Sequence, residues 1–584
     1  MRRDPHSYND DTQAETASIA LTARVDFAAR VLHAEAELTF EQPGAGTLDL
    51  DTRDLHIERV SDSHGATLPF TLHPAEPFLG ARLSIELPPD TRSIRIAYRT
   101  SPDASALQWL EPAQTMGGKH PYLFSQCQAC HARSIIPLQD TPRLRIRYTA
   151  ELAVPKALKV VMAAADRGRT ETGESATERW EMPQPIPPYL FAFAIGDLAS
   201  RDLSPRCRVW AEPGQVEAAA YEFADVEAMI HAAEALFGPY DWERFDILTM
   251  PPSFPYGGME NPRLTFITPT VIAGDRSLVS VIAHELAHSW TGNLVTNANG
   301  EHFWLNEGFT MYAERRITEA LEGADMASLS AALGRRELDE SIARFKDRPQ
   351  MTRLRVPMQG VDPDDAYSLV PYEKGYFFLA AIEAAVGRAA FEAWLKTYLR
   401  DFRFGAITTE DFERHIEAGL PGALAKVDAR TWIDGEGVPA AAAPPRSARL
   451  DAIEALGGAA PPAEVASTWN ATEWNLYLET IARPAPHDLL NTLEARFHLT
   501  QSNNYDVLVA WLALCLQSGY HAVLSRVDQV LAGVGRMKYL RPLYTALAKH
   551  PGTRERARVT YERLRAGYHP IARQMVESVL REHA

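Results

Sequence analysis

The chain has 584 residues, 46% of them hydrophobic and 23% charged, and carries a formal net charge of −17 at pH 7. That length exceeds what one hydrophobic core serves, so two to four domains are expected, and the acidity argues against nucleic acid as a partner, which would need a basic footprint. No apolar run reaches the ~18 residues needed to cross a bilayer, so no membrane span is expected, and the four cysteines are too few for a disulfide framework.

In chain order, Met1–Asp11 places two arginines before polar and acidic residues instead of an apolar segment. No secretory signal is expected there, and a cytoplasmic protein is the simplest reading. Residues 1–200 read as a mostly antiparallel β domain. Leu48-Asp-Leu50, Leu55-His-Ile57, Ile94-Arg-Ile96-Ala-Tyr98 and Leu144-Arg-Ile146-Arg-Tyr148 alternate at period two, with turn residues between them. Phe124–His131 interrupts the pattern with polar groups. Cys127-Gln-Ala-Cys130 is formally C-x-x-C, but no second such pair completes a zinc site, which favours a structural or substrate-lining loop.

Residues 201–434 change to helices with a few strands: Val226–Phe237 helical, Asp246–Met250 strand-like, and Pro251–Gly258 a loop. The Pro/Ala/Gly-rich stretch 435–450 reads as a linker. Residues 451–584 are helical nearly throughout, with amphipathic runs at Tyr505–Leu516 and Tyr561–Leu580, and suggest a stacked helical module. Arg and Lys are dense from Arg536 to Arg581, best explained for the most part as solvated faces. Any protein partners of this module are left open.

The chemistry concentrates at His284-Glu285-x-x-His288, followed nineteen residues later by Glu307. Positions four apart share a helix face, so His284 and His288 can aim two imidazoles at one point. Leu278, Ile282, Leu286 and Trp290 form the opposite, apolar arc. Catalytic zinc commonly takes two His and one Glu and keeps a position open. His284, His288 and Glu307 supply that set for one Zn2+ per chain, leaving Glu285 as general base. Glu314, seven residues beyond Glu307, returns to nearly the same helix face and can hold a ligating histidine from behind.

Gly257-Gly258-Met259-Glu260-Asn261, the His-Glu-x-x-His…Glu set and Tyr372 resemble the aminopeptidase N family of zinc exopeptidases. Phe124-Ser-Gln126-Cys-Gln128-Ala129, Asp362-Pro-Asp364 through Tyr367 to Gly375, and Gly535-Arg536-Met-Lys538-Tyr narrow the likeness to its leukotriene A4 hydrolase subgroup. The resemblance covers all three segments. It implies a multidomain α+β protein: an N-terminal β-saddle domain, a thermolysin-like catalytic domain and a C-terminal all-α helical-repeat domain.

It further implies that Tyr372 hydrogen-bonds the oxyanion and that Glu260 holds the substrate's free amine. Gln126, Gln128, Ala129, Tyr256, Gly257, Gly258 and Met259 belong to the surrounding pocket. Arg536 and Lys538 would receive the far carboxylate of a short peptide, while Asp364 and Tyr367 line the channel. The likeness breaks at Thr296-Asn-Ala-Asn-Gly300, which lacks a tryptophan of the animal hydrolase, and at Val356-Pro-Met358; both bear on a deep acyl tunnel. The expected activity is removal of N-terminal residues from short peptides with a free amino end. The alternatives are a bifunctional enzyme that also opens a lipid epoxide, and an inactive zinc-bound interaction scaffold.

Overall fold

The computed structural model describes residues 4–278, 280–366, 368–440, 442 and 445–583. The period-two segments become an eight-stranded sheet. Its order is Ala165–Thr172, Ser175–Ile186, Ile146–Pro155, Thr16–Asp26, Val31–Thr52, Ala81–Arg99 and His56–Asp62, with Phe70–Leu72 also paired to Ala81–Arg99. All pairings are antiparallel except that of Thr16–Asp26 with Ile146–Pro155. Register follows the apolar residues: Ala36 faces Ile96 and Leu38 faces Ile94, all four fully buried. A second sheet of four strands contains Tyr122–Ser125, and the polar loop beginning at Gln126 leaves from its end.

The next five-stranded sheet runs Ala199–Ser204, Cys207–Ala211, Asp246–Thr249, Leu264–Ile267 and Gly258–Met259, the last an antiparallel edge. Packed on it and beyond are α1 (Val226–Phe237), α2 (Ser280–Ala287), α3 (Trp304–Glu322), α4 (Ala324–Arg344) and α5 (Gly375–Val386). Ile282 and Leu286 of α2 are buried, as are Leu278 and Trp290 just beyond its two ends, so the apolar side of this stretch faces the core. α3 runs from Trp304 to Glu322, where Gly323 at φ 94° ends it.

The helical module includes α6 (Tyr505–Gln517), α7 (Met537–Lys549), α8 (Arg554–Leu564) and α9 (Pro570–Glu582). The run expected from Tyr561 to Leu580 is not one helix. It breaks after Leu564 and restarts at Pro570, because proline lacks the N–H an interior helical position must donate but fits a first turn. The linker is not loose where it is described: Gly437 N donates to Thr352 Oγ1, and Arg335 donates to the Ala442 carbonyl.

Two apolar cores hold the molecule together. One lies between the eight-stranded and the five-stranded sheet, bringing Trp242, Leu248, Met250, Phe254 and Phe266 against the N-terminal strands. The other is continuous from α1–α5 into the C-terminal helices. The middle segment therefore shares a core with each neighbour.

Candidate active site

α2 and α3 cross so that three side chains converge. His284 Nε2 and His288 Nε2 lie 3.2 Å apart, and Glu307 Oε2 is 3.6 and 3.5 Å from them. The outer nitrogens explain why the inner ones face inward bare. His288 Nδ1 sits 3.0 Å from the Thr291 carbonyl, which can only accept, so the ring proton belongs there. His284 Nδ1 sits 3.0 Å from Glu314 Oε2, which fixes that ring in the same sense.

Glu307 Oε2 is buried without a hydrogen-bond partner. Two inward imidazole nitrogens and an unsatisfied carboxylate oxygen are what a divalent cation bound by two His and one Glu requires. The residues fit zinc. Burial holds the His288 imidazole down at about 4, keeping it neutral as a ligand must be. At His284 burial works the same way, but the surrounding carboxylates Glu307, Glu314 and Glu285 win and raise it.

Glu285 and Glu260 border this point. Their carboxylates and a His288 nitrogen all lie within 4.8 Å of one another. Burial pushes Glu285 well above the carboxylate range, and Glu260 up to about 7. The edge strand Gly258–Met259 runs directly over Glu285: a Cβ on Gly258 would fall on its carboxylate. Gln128 Nε2 donates to Glu260 Oε1 at 3.3 Å, Asn293 Nδ2 donates to the Glu260 carbonyl at 2.7 Å, and Gln126 Nε2 reaches Met259 Sδ at 3.3 Å. The loop from the N-terminal domain thus lies on the Glu260 side of the site. The Gln128–Ala129 peptide is cis.

Tyr372 stands on the π-helical turn Val370–Lys374. Its ring lies parallel to that of His284, 6.1 Å between centres, with Phe303 edge-on. Beyond Gly257, α7 supplies the opposite end of the cleft. The Cβ position of Gly257 is 2.6 Å from Arg536 Nη2, so glycine is what lets that guanidinium approach. Arg536 Nη1 donates to Tyr539 Oη at 3.0 Å, and Tyr539 in turn donates to Asp506 at 2.7 Å. Tyr256 precedes this contact, packed edge-on against Phe254. Lys538 is half exposed and paired with Asp506 at 3.0 Å.

Asp364 accepts from His131 Nε2 at 3.0 Å. Tyr367 lies outside the described residues. His131 was not singled out by the sequence, although it closes the polar loop that was. Arg53 Nη1, which can only donate, is 2.8 Å from His131 Nδ1, so the ring proton is on Nε2 and points at Asp364. Also missed were Thr310, whose hydroxyl is 3.0 Å from His288 Nδ1, and Asn306, one turn earlier on α3. Their signal was present in the i, i+4 spacing on the Glu307 helix.

Comparison with known proteins agrees with this geometry. Residues 221–432 match the Peptidase family M1 domain, 4–190 the Peptidase M1 N-terminal domain, and 469–580 the C-terminal domain of leukotriene A4 hydrolase. Leukotriene A-4 hydrolase of Xenopus laevis is 38% identical, covering 98% of both chains. Leucine aminopeptidase 2 of Yarrowia lipolytica is 37% identical over 99% of this chain and 93% of its own. The yeast LTA4 hydrolase solved with bestatin superposes with a TM-score of 0.92 at 32% identity, over 99% of this chain and 97% of that one. With two histidines and a glutamate closing on one point in a fold shared end to end with these proteins, the chain belongs to peptidase family M1 and is a zinc aminopeptidase of the leukotriene A4 hydrolase-like branch.

Proposed function

We propose that the enzyme removes single N-terminal residues from short peptides, with Glu285 and Tyr372 as its catalytic residues and His284, His288 and Glu307 as metal ligands. The single observation that carries this reading is Glu260: a buried carboxylate beside the metal triad and Glu285, on a strand edge that glycines keep open. A free ammonium is the natural partner for such a group. Held there, a peptide presents its first amide to the triad and no later one.

Zinc, when bound, polarises the scissile carbonyl and acidifies water. Glu285, raised by burial, takes the proton from the attacking water and returns it to the leaving amine. Tyr372 donates its hydroxyl to the developing oxyanion; such a donor is worth about 3 kcal/mol in a water-poor cleft. Gln128 orients Glu260, and Arg536 grips the far carboxylate of a tripeptide, in reach because Gly257 has no side chain. Lys538, paired with Asp506, adds charge at the rim. Asp364 is assigned to the channel wall.

The segments 1–200, 201–434, 435–450 and 451–584 are taken as the working units. Among the described residues no helix is long and apolar enough to cross a membrane. The four cysteines are buried free thiols, which supports a reducing, cytoplasmic setting.

The test is a rate profile across aminoacyl-anilides and tripeptides, with and without chelator. Turnover lost on chelation and restored by zinc, with N-acetylated peptides uncut, is the expected result; N-acetylated peptides cut as fast as free ones would end the exopeptidase assignment. Glu285→Gln is expected to lower kcat by at least about 1,000-fold with zinc still bound. The Xenopus relative, a leukotriene A-4 hydrolase, keeps a second activity in view. Incubation with leukotriene A4 decides it: a dihydroxy product would establish an epoxide hydrolase as well.

A further inference from the structure

Tyr372 sits on a turn whose next two side chains are charged and buried, an arrangement the chemistry above does not use. Glu373 forms a two-pronged ion pair with Arg315 of α3, Nη1 to Oε2 at 2.9 Å and Nη2 to Oε1 at 2.8 Å, both side chains under 5% exposed. The guanidinium also donates to the Ser330 carbonyl on α4 and lies 4.0 Å over the Tyr376 ring. Lys374, wholly buried, donates through Nζ to the Thr352 and Gly435 carbonyls at 2.9 and 2.7 Å. Neighbouring backbones leave no slack: Gly334 has the ion pair where a Cβ would be, and a Cβ on Gly375 would lie 2.7 Å from the Gly308 Cα.

A buried ion pair gains little stability over apolar residues of the same size, because desolvation offsets its attraction. What it supplies is direction. A planar fork on a carboxylate fixes both distance and orientation, and a π-helical turn, with its wider spacing, needs outside anchors to hold one geometry. Arg315 directly follows Glu314, the partner of His284, on the helix that also carries Glu307. One helix therefore references the metal triad and the Tyr372 turn to each other.

We propose that the Arg315–Glu373 pair is a positioning element for the Tyr372 hydroxyl, with Lys374 as the second anchor of the same turn. The proposal rests on Tyr372 being the oxyanion donor. Its loss moves the donor without touching substrate, so the transition state suffers and substrate binding does not.

The experiment uses the full-length zinc-loaded enzyme and an aminoacyl-anilide. Arg315→Lys keeps the charge and loses the fork; the paired change Arg315→Met with Glu373→Gln removes both charges and serves if the single variant does not fold. Expected for either is a kcat about 10- to 100-fold lower, KM within about twofold of the parent, full zinc content, and weaker inhibition by a phosphinic dipeptide analogue in proportion to kcat. Introduced into Tyr372→Phe, the same changes are expected to cost nothing further. Equal losses in both backgrounds, or an unchanged kcat, would overturn the positioning role while leaving Tyr372 in place. A Tyr372→Phe enzyme of parental kcat would instead remove the oxyanion assignment, and the proposal with it.

Discussion

Burial holds the His302 imidazole down at about 4 and that of His569 at about 3, against an ordinary 6.5. Both are neutral in the folded state, while the unfolded chain takes up a proton on each below 6.5. Their stabilising contribution is thus complete above pH 6.5 and lost as pH falls towards 4 and 3, worth up to about 3 kcal/mol for His302 and about 5 kcal/mol for His569. His569 also accepts from Ile571 N at the start of α9, a role asparagine can keep. His569→Asn is expected to flatten the acid limb of a Tm-against-pH profile, and parallel profiles for parent and variant would refute the assignment. At the far end of the cleft, Arg536→Ala is expected to raise KM for tripeptides about tenfold or more and to spare aminoacyl-anilides. Equal losses on both substrates would remove its role as carboxylate grip.

Among the elements, the short edge strand Gly258–Met259 is the most exacting. A methyl group on Gly258 meets the Glu285 carboxylate, so Gly258→Ala is expected to lower kcat about 100-fold or more while zinc stays bound. Measuring kcat and metal content on one preparation checks it. α2 and the metal-bearing part of α3 were legible in the sequence because periodicity and ligand chemistry point the same way there. Leu278, Ile282, Leu286 and Trp290 demand a core on the side opposite His284 and His288, and they have one. The turn carrying Tyr372 was not legible, since no local pattern announces a π-helical turn; the likeness to a family picked out the residue and not its backbone. The break between α8 and α9 was missed because apolar spacing continues across it, and only Gly567 and Pro570 interrupt the run. The Arg315–Glu373 pair joins residues 58 apart in sequence, and pairing over that distance leaves no trace in either segment.

For the whole molecule, Arg145 is the clearest tie between the first and second segments. From the N-terminal sheet it donates to the carbonyls of Asn293, Leu294 and Gly405 and to Thr296 Oγ1, and burial pulls its guanidinium down to about 10. Arg145→Met strands these carbonyls in a dry interface and is expected to cost about 3 kcal/mol, splitting one calorimetric transition into two. A single undivided transition would show that the shared apolar core alone couples the segments. At this scale the three segments and their classes followed from composition and pattern, while the meeting of all three at one site followed only from the family likeness, which put Gln128, Glu260 and Arg536 around one substrate.

The guanidinium behind Gly257 comes from residue 536, near the end of a 584-residue chain. During synthesis every other proposed part of the machinery except Lys538 has left the ribosome long before it. A translation product stopped short of α7, if it holds its shape, would be an exopeptidase without a ruler: able to trim, indifferent to how much polypeptide trails behind. In the proposed mechanism a group supplied by the helical module decides how large a meal is allowed.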